Sequence, residues 1–120
     1  MSEDVEAAKE WDIRYTARDG ERVWFDQMMT ESTAREYVDL MTTGALGDEF
    51  GNPEAVNRVE DLKNRYPIGA RIIWHHGTGT VLEGHRIFRH FNKPTETLHV
   101  HMDDGITSEV VATFVTLAPQ

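Results

Sequence analysis

From Tyr66 to Gln120 the chain is cut by glycines and by an Asp-Asp-Gly turn into short runs of β-type residues. Ile72 to His75, Gly79 to Phe88, Thr97 to Met102, Glu109 to Phe114 and Val115 to Leu117 each read as a strand. Five short strands within about 50 residues predict a small antiparallel barrel. In the third run Leu98, Val100 and Met102 fall on one face and His99 and His101 on the other, the pattern of a sheet with one buried side.

The preceding stretch, residues 1–65, reads differently. Trp11, Ile13 and Tyr15 alternate with polar residues, and Val23 and Phe25 alternate again after Arg18-Asp19-Gly20-Glu21. Alternation on both sides of an Asp-Gly pair predicts a hairpin, with strands near 11–17 and 22–28. Thr30 or Ser32 can cap a helix whose apolar positions Ala34, Tyr37, Val38 and Met41 recur at helical spacing, and Gly44 can end it. Residues 45–51 read as a loop. Asn52-Pro53 reads as a second helix start, followed by the narrow apolar stripe of Val56, Val59 and Leu62 and closed by Pro67. The expectation is an α+β protein, with an N-terminal β-hairpin and two helices over 1–65 and a five-stranded antiparallel β-barrel over 66–120.

At 120 residues the chain has room for one ordinary domain or two very small ones. It has no cysteine, which excludes disulfides, thiolate metal sites and cysteine nucleophiles. The net charge is −9 and it is unevenly spread: residues 1–65 hold sixteen Asp or Glu against eight Lys or Arg, residues 66–120 five against four. An acidic chain is repelled by phosphate backbones, so general nucleic-acid binding is disfavoured. The acidic amino-terminal stretch has no basic and apolar leader pattern, and no apolar run approaches the length of a membrane span, which predicts a cytoplasmic protein with no membrane partner.

The runs YPIGARIIWHHGTGTVLEG, LHVHMDDG and VTLAP together resemble the Tudor-like, SH3-like barrels of bacterial DNA-transaction proteins. Two groups share the pattern: the RNA-polymerase-interacting domains of CarD and of the transcription-repair coupling factor, and the carboxy-terminal domain of UvrD-type helicases. The resemblance is carried by Gly69, Ile72, His75, His76, Gly77, Gly79, Val81, Val100, Asp104 and Gly105, and covers under half the chain. It implies an SH3-like barrel that docks onto transcription or repair machinery. The chain departs from these families at Ala70, where they commonly carry an acidic residue, and in the segment GHRIFRHFNKPTE, where a partner-specific contact can sit.

Candidate chemistry is sparse. Five of the six histidines lie between residues 75 and 99, and His101 completes the set. His99 and His101, two apart on a strand, project to one side roughly 7 Å apart and can share a metal ion, with His75 or His85 as a third ligand. An exposed His-x-His pair is common without metal, so no metal ligand or cofactor is assigned. Asp103 and Asp104 read as turn residues, the three serines lie in no nucleophile elbow, and Gly77-Thr78-Gly79-Thr80 lacks the lysine of a phosphate loop. Trp74 reads as core. Arg86, Phe88, Arg89, Phe91 and Lys93 form the one basic and aromatic cluster, a composition suited to an acidic protein surface or to single-stranded nucleic acid. The resulting expectation is a non-enzymatic protein-interaction module that binds its partner through that cluster, as a monomer or as a homodimer formed through exposed sheet edges. The alternatives are an acidic mimic of DNA that occupies a basic groove, and a histidine-based metal-binding protein.

Overall fold

The structure is a computed structural model that describes residues 8–90 and 93–119, with His90 described by its backbone alone. Among the described residues there are two α-helices and two antiparallel sheets, of three and five strands, so the chain is of mixed α+β class. One unit ends at Arg58 and the next begins at Val59, where the sequence put a boundary at 65/66. The difference lies in Leu62, which is fully buried in the same apolar cluster as Ile72, Val81 and Leu98 of the second unit.

In the first unit β1 (Trp11–Thr16) and β2 (Arg22–Trp24) form the expected hairpin, with Arg14 opposite Trp24 and Thr16 opposite Arg22. Gly20, at φ 89°, supplies the left-handed residue that the connection needs. β2 stops well short of the expected residue 28, and the reason is Asp12. Phe25 N–H donates to Ile13 O at 2.8 Å, and Trp11 and Met29 exchange both of their backbone hydrogen bonds, at 2.9 and 2.7 Å. Between these points Asp26, Gln27 and Met28 leave the ladder, Asp26 at φ 63° and Met28 at φ 44°. The excursion wraps the fully buried Asp12 carboxylate, which accepts the N–H groups of Asp26 at 3.0 Å and Gln27 at 3.3 Å. Arg58 closes the site: its Nη1 donates to Asp12 Oδ2 at 2.8 Å and to Asp26 Oδ1 at 2.7 Å, and its guanidinium lies 4.6 Å from the Trp24 ring centroid.

Helix α1 (Glu31–Thr43) follows its sequence pattern closely. The Thr30 hydroxyl accepts the Thr33 N–H at 3.4 Å, and Gly44 ends the helix at φ 84°. Ala34 and Met41 are buried in one cluster with Ile13 and Met29, bordered by Trp11, Phe25, Tyr37, Val38, Phe50 and Ala55.

The expected helix start at Asn52-Pro53 is instead a strand. β3 (Gly51–Asn57) pairs antiparallel with β1, and the sheet order is β2-β1-β3. Gly51 faces Thr16 and Glu54 faces Arg14, so Asn52 and Pro53 together oppose the single residue Tyr15, a β-bulge. Asn52 takes φ 44°, a conformation asparagine tolerates, and Pro53 lies on an edge strand, where a missing N–H costs no ladder bond. An Asn-Pro pair suits a helix cap and a bulge alike; long-range pairing with β1 decides between them. Helix α2 (Arg58–Arg65) therefore begins after β3 and keeps only Val59 and Leu62 of the predicted stripe.

The second unit's sheet comprises β4 (Arg71–Trp74), β5 (Gly77–His90), β6 (Lys93–Met102), β7 (Thr107–Val111) and β8 (Thr116–Leu117), in the order β7-β6-β5-β4-β8. The expected fourth strand, 109–114, divides into β7 and a 3-10 turn over Ala112–Phe114. Among the described residues no ladder joins β7 to β8, so the expected closed barrel is an open five-stranded sheet. β8 has two residues, which pair with Ile72 and Ile73 and extend no further. Leu62, Ile72, Val81, Leu98, Val100, Met102, Val110, Ala112 and Val115 form the core beneath it. Fully burying side chains such as Leu62, Ile72 and Leu98 stabilises by about 1.5–3 kcal/mol each. No described helix is long and apolar enough to cross a membrane.

Candidate functional site

The segment GHRIFRHFNKPTE is largely strand. β5 and β6 run through most of it and stay paired from Arg86 opposite Thr97 out to His90 opposite Lys93. Three residues, Glu83 to His85, oppose the single Leu98 where the register shifts, a bulge that bends β5. Gly84 makes the bend: it sits at φ 133°, and a Cβ there would lie 3.0 Å from His99 Cβ. β7 leaves β6 at Thr97, so from Ile87 and Glu96 outward the two strands pair only with each other, as a two-stranded ribbon.

The ribbon divides the expected cluster between its faces. Arg86 and Phe88 share one face, and the guanidinium lies 5.5 Å from the Phe88 ring centroid and 3.5 Å from Glu109 Oε2. Thr95 stands opposite Phe88, which puts Lys93, two residues away on β6, on that same face. Ile87 packs on the core and Arg89 follows it on the other face. Arg86, Arg89 and Lys93 are exposed and Phe88 is half-buried. Phe91 lies outside the described residues. The ribbon's base is tied to α2, where Arg65 donates to Glu96 Oε2 at 2.6 Å and to Asp61 Oδ2 at 2.9 Å. Burial lowers the proton affinity of Arg65, and the bonds and charges of Glu96 and Asp61 outweigh it, holding the guanidinium above its ordinary value.

The histidines do not assemble into a metal centre among the described residues, where no three His, Cys, Asp or Glu side chains converge on a site that could hold an ion. His99 and His101 are exposed on β6, and His101 Nδ1 lies 3.1 Å from Thr107 Oγ1. His85 is buried, with Nε2 placed 2.6 Å from Tyr66 O. His75 belongs to a different group, packed with Trp74 and His76 at the β4–β5 turn with ring centroids 3.9–4.6 Å apart.

That turn faces a cavity of about 370 Å³ lined by Trp74, His76, Met102, Asp104, Ile106 and Ser108. The β4–β5 and β6–β7 turns meet there because β4, β5 and β6 are consecutive in the sheet. Asp104 Oδ1 accepts the Ile106 N–H at 3.0 Å, which fixes the β6–β7 turn. Asp103, one residue before, turns the other way. Its carboxylate accepts from both terminal nitrogens of Arg71 and from the Thr78 hydroxyl, and its backbone N–H donates to Thr78 O at 2.9 Å. The Arg71 and Thr78 hydrogen bonds hold the Asp103 carboxyl far below the usual carboxylate range, and the Asp103 hydrogen bond raises Arg71 in turn.

Residue patterns missed this cavity, since they put Asp104-Gly105 in a turn and His75 at the end of a strand, with nothing to place one beside the other. Trp74 does border the core, as its sequence context predicts, and it also reaches the cavity. No protein-family model, curated protein or solved structure matches the chain.

Proposed function

We propose that the protein is a non-enzymatic, cytoplasmic protein-binding module whose second unit is an SH3-like sheet and docks on its partner through the β5–β6 ribbon. The observation that carries this reading is the ribbon itself: two strands that run past their last third-strand neighbour and display Arg86, Phe88 and Lys93 on one face. A half-buried ring flanked by exposed cations, in a chain of net charge −9, offers a local surface opposite in sign to the whole and suited to an acidic protein face. The same unit exposes Ile68, Ile73, Ile106, Phe114 and Leu117, at 43–66% of their surface, above a core that is already complete. Apolar surface of this kind fits a docking role better than a solvated one. The resemblance noted in the sequence makes transcription or repair machinery the class of partner to look for.

A second reading has its own observation in the first unit. There Arg22 is engaged by Glu54, Arg35 by Glu31 and Arg58 by Asp12 and Asp26, while Glu10, Asp19, Glu21, Glu36, Asp39 and Glu49 are exposed. Cations engaged by carboxylates of the same unit, beside further exposed carboxylates, suit an acidic decoy for a basic groove. One experiment separates the two: affinity purification from the native cells of the intact protein and of an Arg86→Ala, Arg89→Ala, Lys93→Ala variant. A partner recovered by the first and lost by the second supports ribbon docking. A basic nucleic-acid enzyme recovered equally by both supports the decoy, and no partner with either overturns both.

A further inference from the structure

The first unit has a cavity of its own, about 360 Å³, lined by Tyr15, Ala17, Arg18, Phe25, Glu49 and Phe50. Strand register builds it. Gly51 pairs with Thr16 in the β1–β3 ladder, which sets Glu49 and Phe50 alongside Ala17 and Arg18 at the start of the hairpin connection. Tyr15 shares the face of the buried Ile13, two residues before it, and Phe25 is tied to Ile13 by its backbone N–H. Phe50 joins the two rings, its centroid 4.9 Å from Tyr15 at 72° and 5.9 Å from Phe25 at 83°. Phe25 in turn rests against Tyr37 of α1 at 5.5 Å. Edge-to-face packing of this kind holds the half-buried rings in place before any ligand arrives.

The rim is anionic. Residues 17–21 and 45–50, which border the rings, carry Asp19, Glu21, Asp48 and Glu49 against the single cation Arg18. Arg18 lies 3.5 Å from Asp48, with both side chains largely exposed. Glu49 is exposed as well, and among the described residues no Lys, Arg or His forms an ion pair with it. The one cation of the rim thus goes to a neighbouring carboxylate and leaves Glu49 at the aromatic wall. A carboxylate beside aromatic rings attracts a cation through its charge and the ring quadrupole together. Ala17 and the three rings of the lining can cover the alkyl stem of a long side chain.

We infer that this cavity receives a lysine or arginine side chain from a basic segment of a protein partner. Charge chooses the occupant, and it is the charge of this part of the chain: residues 1–65 hold sixteen Asp or Glu against eight Lys or Arg. An anionic side chain is repelled by the rim, and an apolar one gains the ring contact but leaves Glu49 without a counter-charge. The inference lies outside ribbon docking, which concerns the second unit. It rests on the decoy reading and adds a defined anchor, where a decoy alone needs only carboxylates spread over a surface.

The test is a titration of the isotope-labelled intact protein with a short peptide containing Lys and Arg, followed by amide and aromatic NMR signals. A peptide of the same length with norleucine and citrulline in place of the cations serves as control. Two variants separate the anchor from diffuse attraction: Glu49→Gln removes the carboxylate at the cavity, and Asp39→Asn removes an exposed carboxylate of α1 that does not line it. Both carboxylates are exposed, so each variant is expected to keep the parent amide spectrum apart from local shifts. Saturable shifts of the Tyr15, Phe25 and Phe50 ring signals and of the Ala17 and Glu49 amides are expected, absent with the control peptide. Affinity is expected to fall about fivefold or more in Glu49→Gln and less than about twofold in Asp39→Asn. Equal weakening in the two variants, or shifts spread over exposed carboxylates with none at the rings, overturns the anchor and leaves the decoy reading standing. No response to the peptide also overturns the anchor. The decoy reading fails on a different observation, the absence of a basic partner in purification from cells.

Discussion

Asp103 shows how one side chain ties three strands together. It follows β6 directly and holds Arg71 of β4 and Thr78 of β5, and the guanidinium also donates to Thr80 at 2.8 Å. Because its folded pKa is depressed, the stabilisation it provides is complete above the unfolded carboxylate pKa of about 3.9 and is lost as pH falls through the lower folded value. Asp103→Asn is therefore expected to lower the urea midpoint by a constant amount from about pH 7 to pH 5, with the gap to the parent protein closing only in strongly acidic solution. A gap that closes at neutral pH contradicts the assignment. Gly79 gives a steric counterpart. A Cβ there would stand 2.7 Å from Val100 Cγ1 and 2.9 Å from His101 O, so Gly79→Ala is expected to destabilise the protein by about 1–3 kcal/mol in chemical denaturation. Gly79 lies within β5, paired with Ile72 on one side and Met102 on the other, and its role is close approach.

Among the elements, those with short-range signals were the legible ones. The hairpin turn at Gly20, the Thr30 cap and the Gly44 stop each depend on residues within a few positions, and all three stand where the pattern puts them. β3 was not legible, because Asn52-Pro53 is resolved only by pairing with β1 some forty residues earlier. The excursion at 26–28 was equally hidden, since it depends on Asp12, which sits in an alternating strand as an ordinary outward residue and is in fact fully buried. Five antiparallel strands were expected and five are present, but closure depended on a last strand that proves too short. Removing one partner of a buried ion pair costs about 3–5 kcal/mol, so Asp12→Ala is expected to loosen the first unit. Hydrogen exchange of the β1 and β2 amides should then accelerate by about a hundredfold or more; unchanged protection would mean that the excursion does not depend on the carboxylate.

At the scale of the whole molecule, the acidity read from composition belongs largely to the first 65 residues, while Arg86, Arg89 and Lys93 gather on one ribbon. The cluster was visible in the sequence as a composition; its division between two faces and its rise beyond the sheet were not, because both follow from strand register. Since the Arg86 ion pair with Glu109 is exposed, the Arg86→Ala, Arg89→Ala, Lys93→Ala variant is expected to keep its unfolding free energy within about 1 kcal/mol of the parent, so that lost binding in it reports on the surface. The docking account is tested most directly by comparing hydrogen exchange of the free protein with that of the complex recovered from cells. Slowed exchange centred on residues 86–89 and 93–96 is predicted. Slowing confined to the first unit, with the ribbon unchanged, would contradict the account and assign binding to the acidic half.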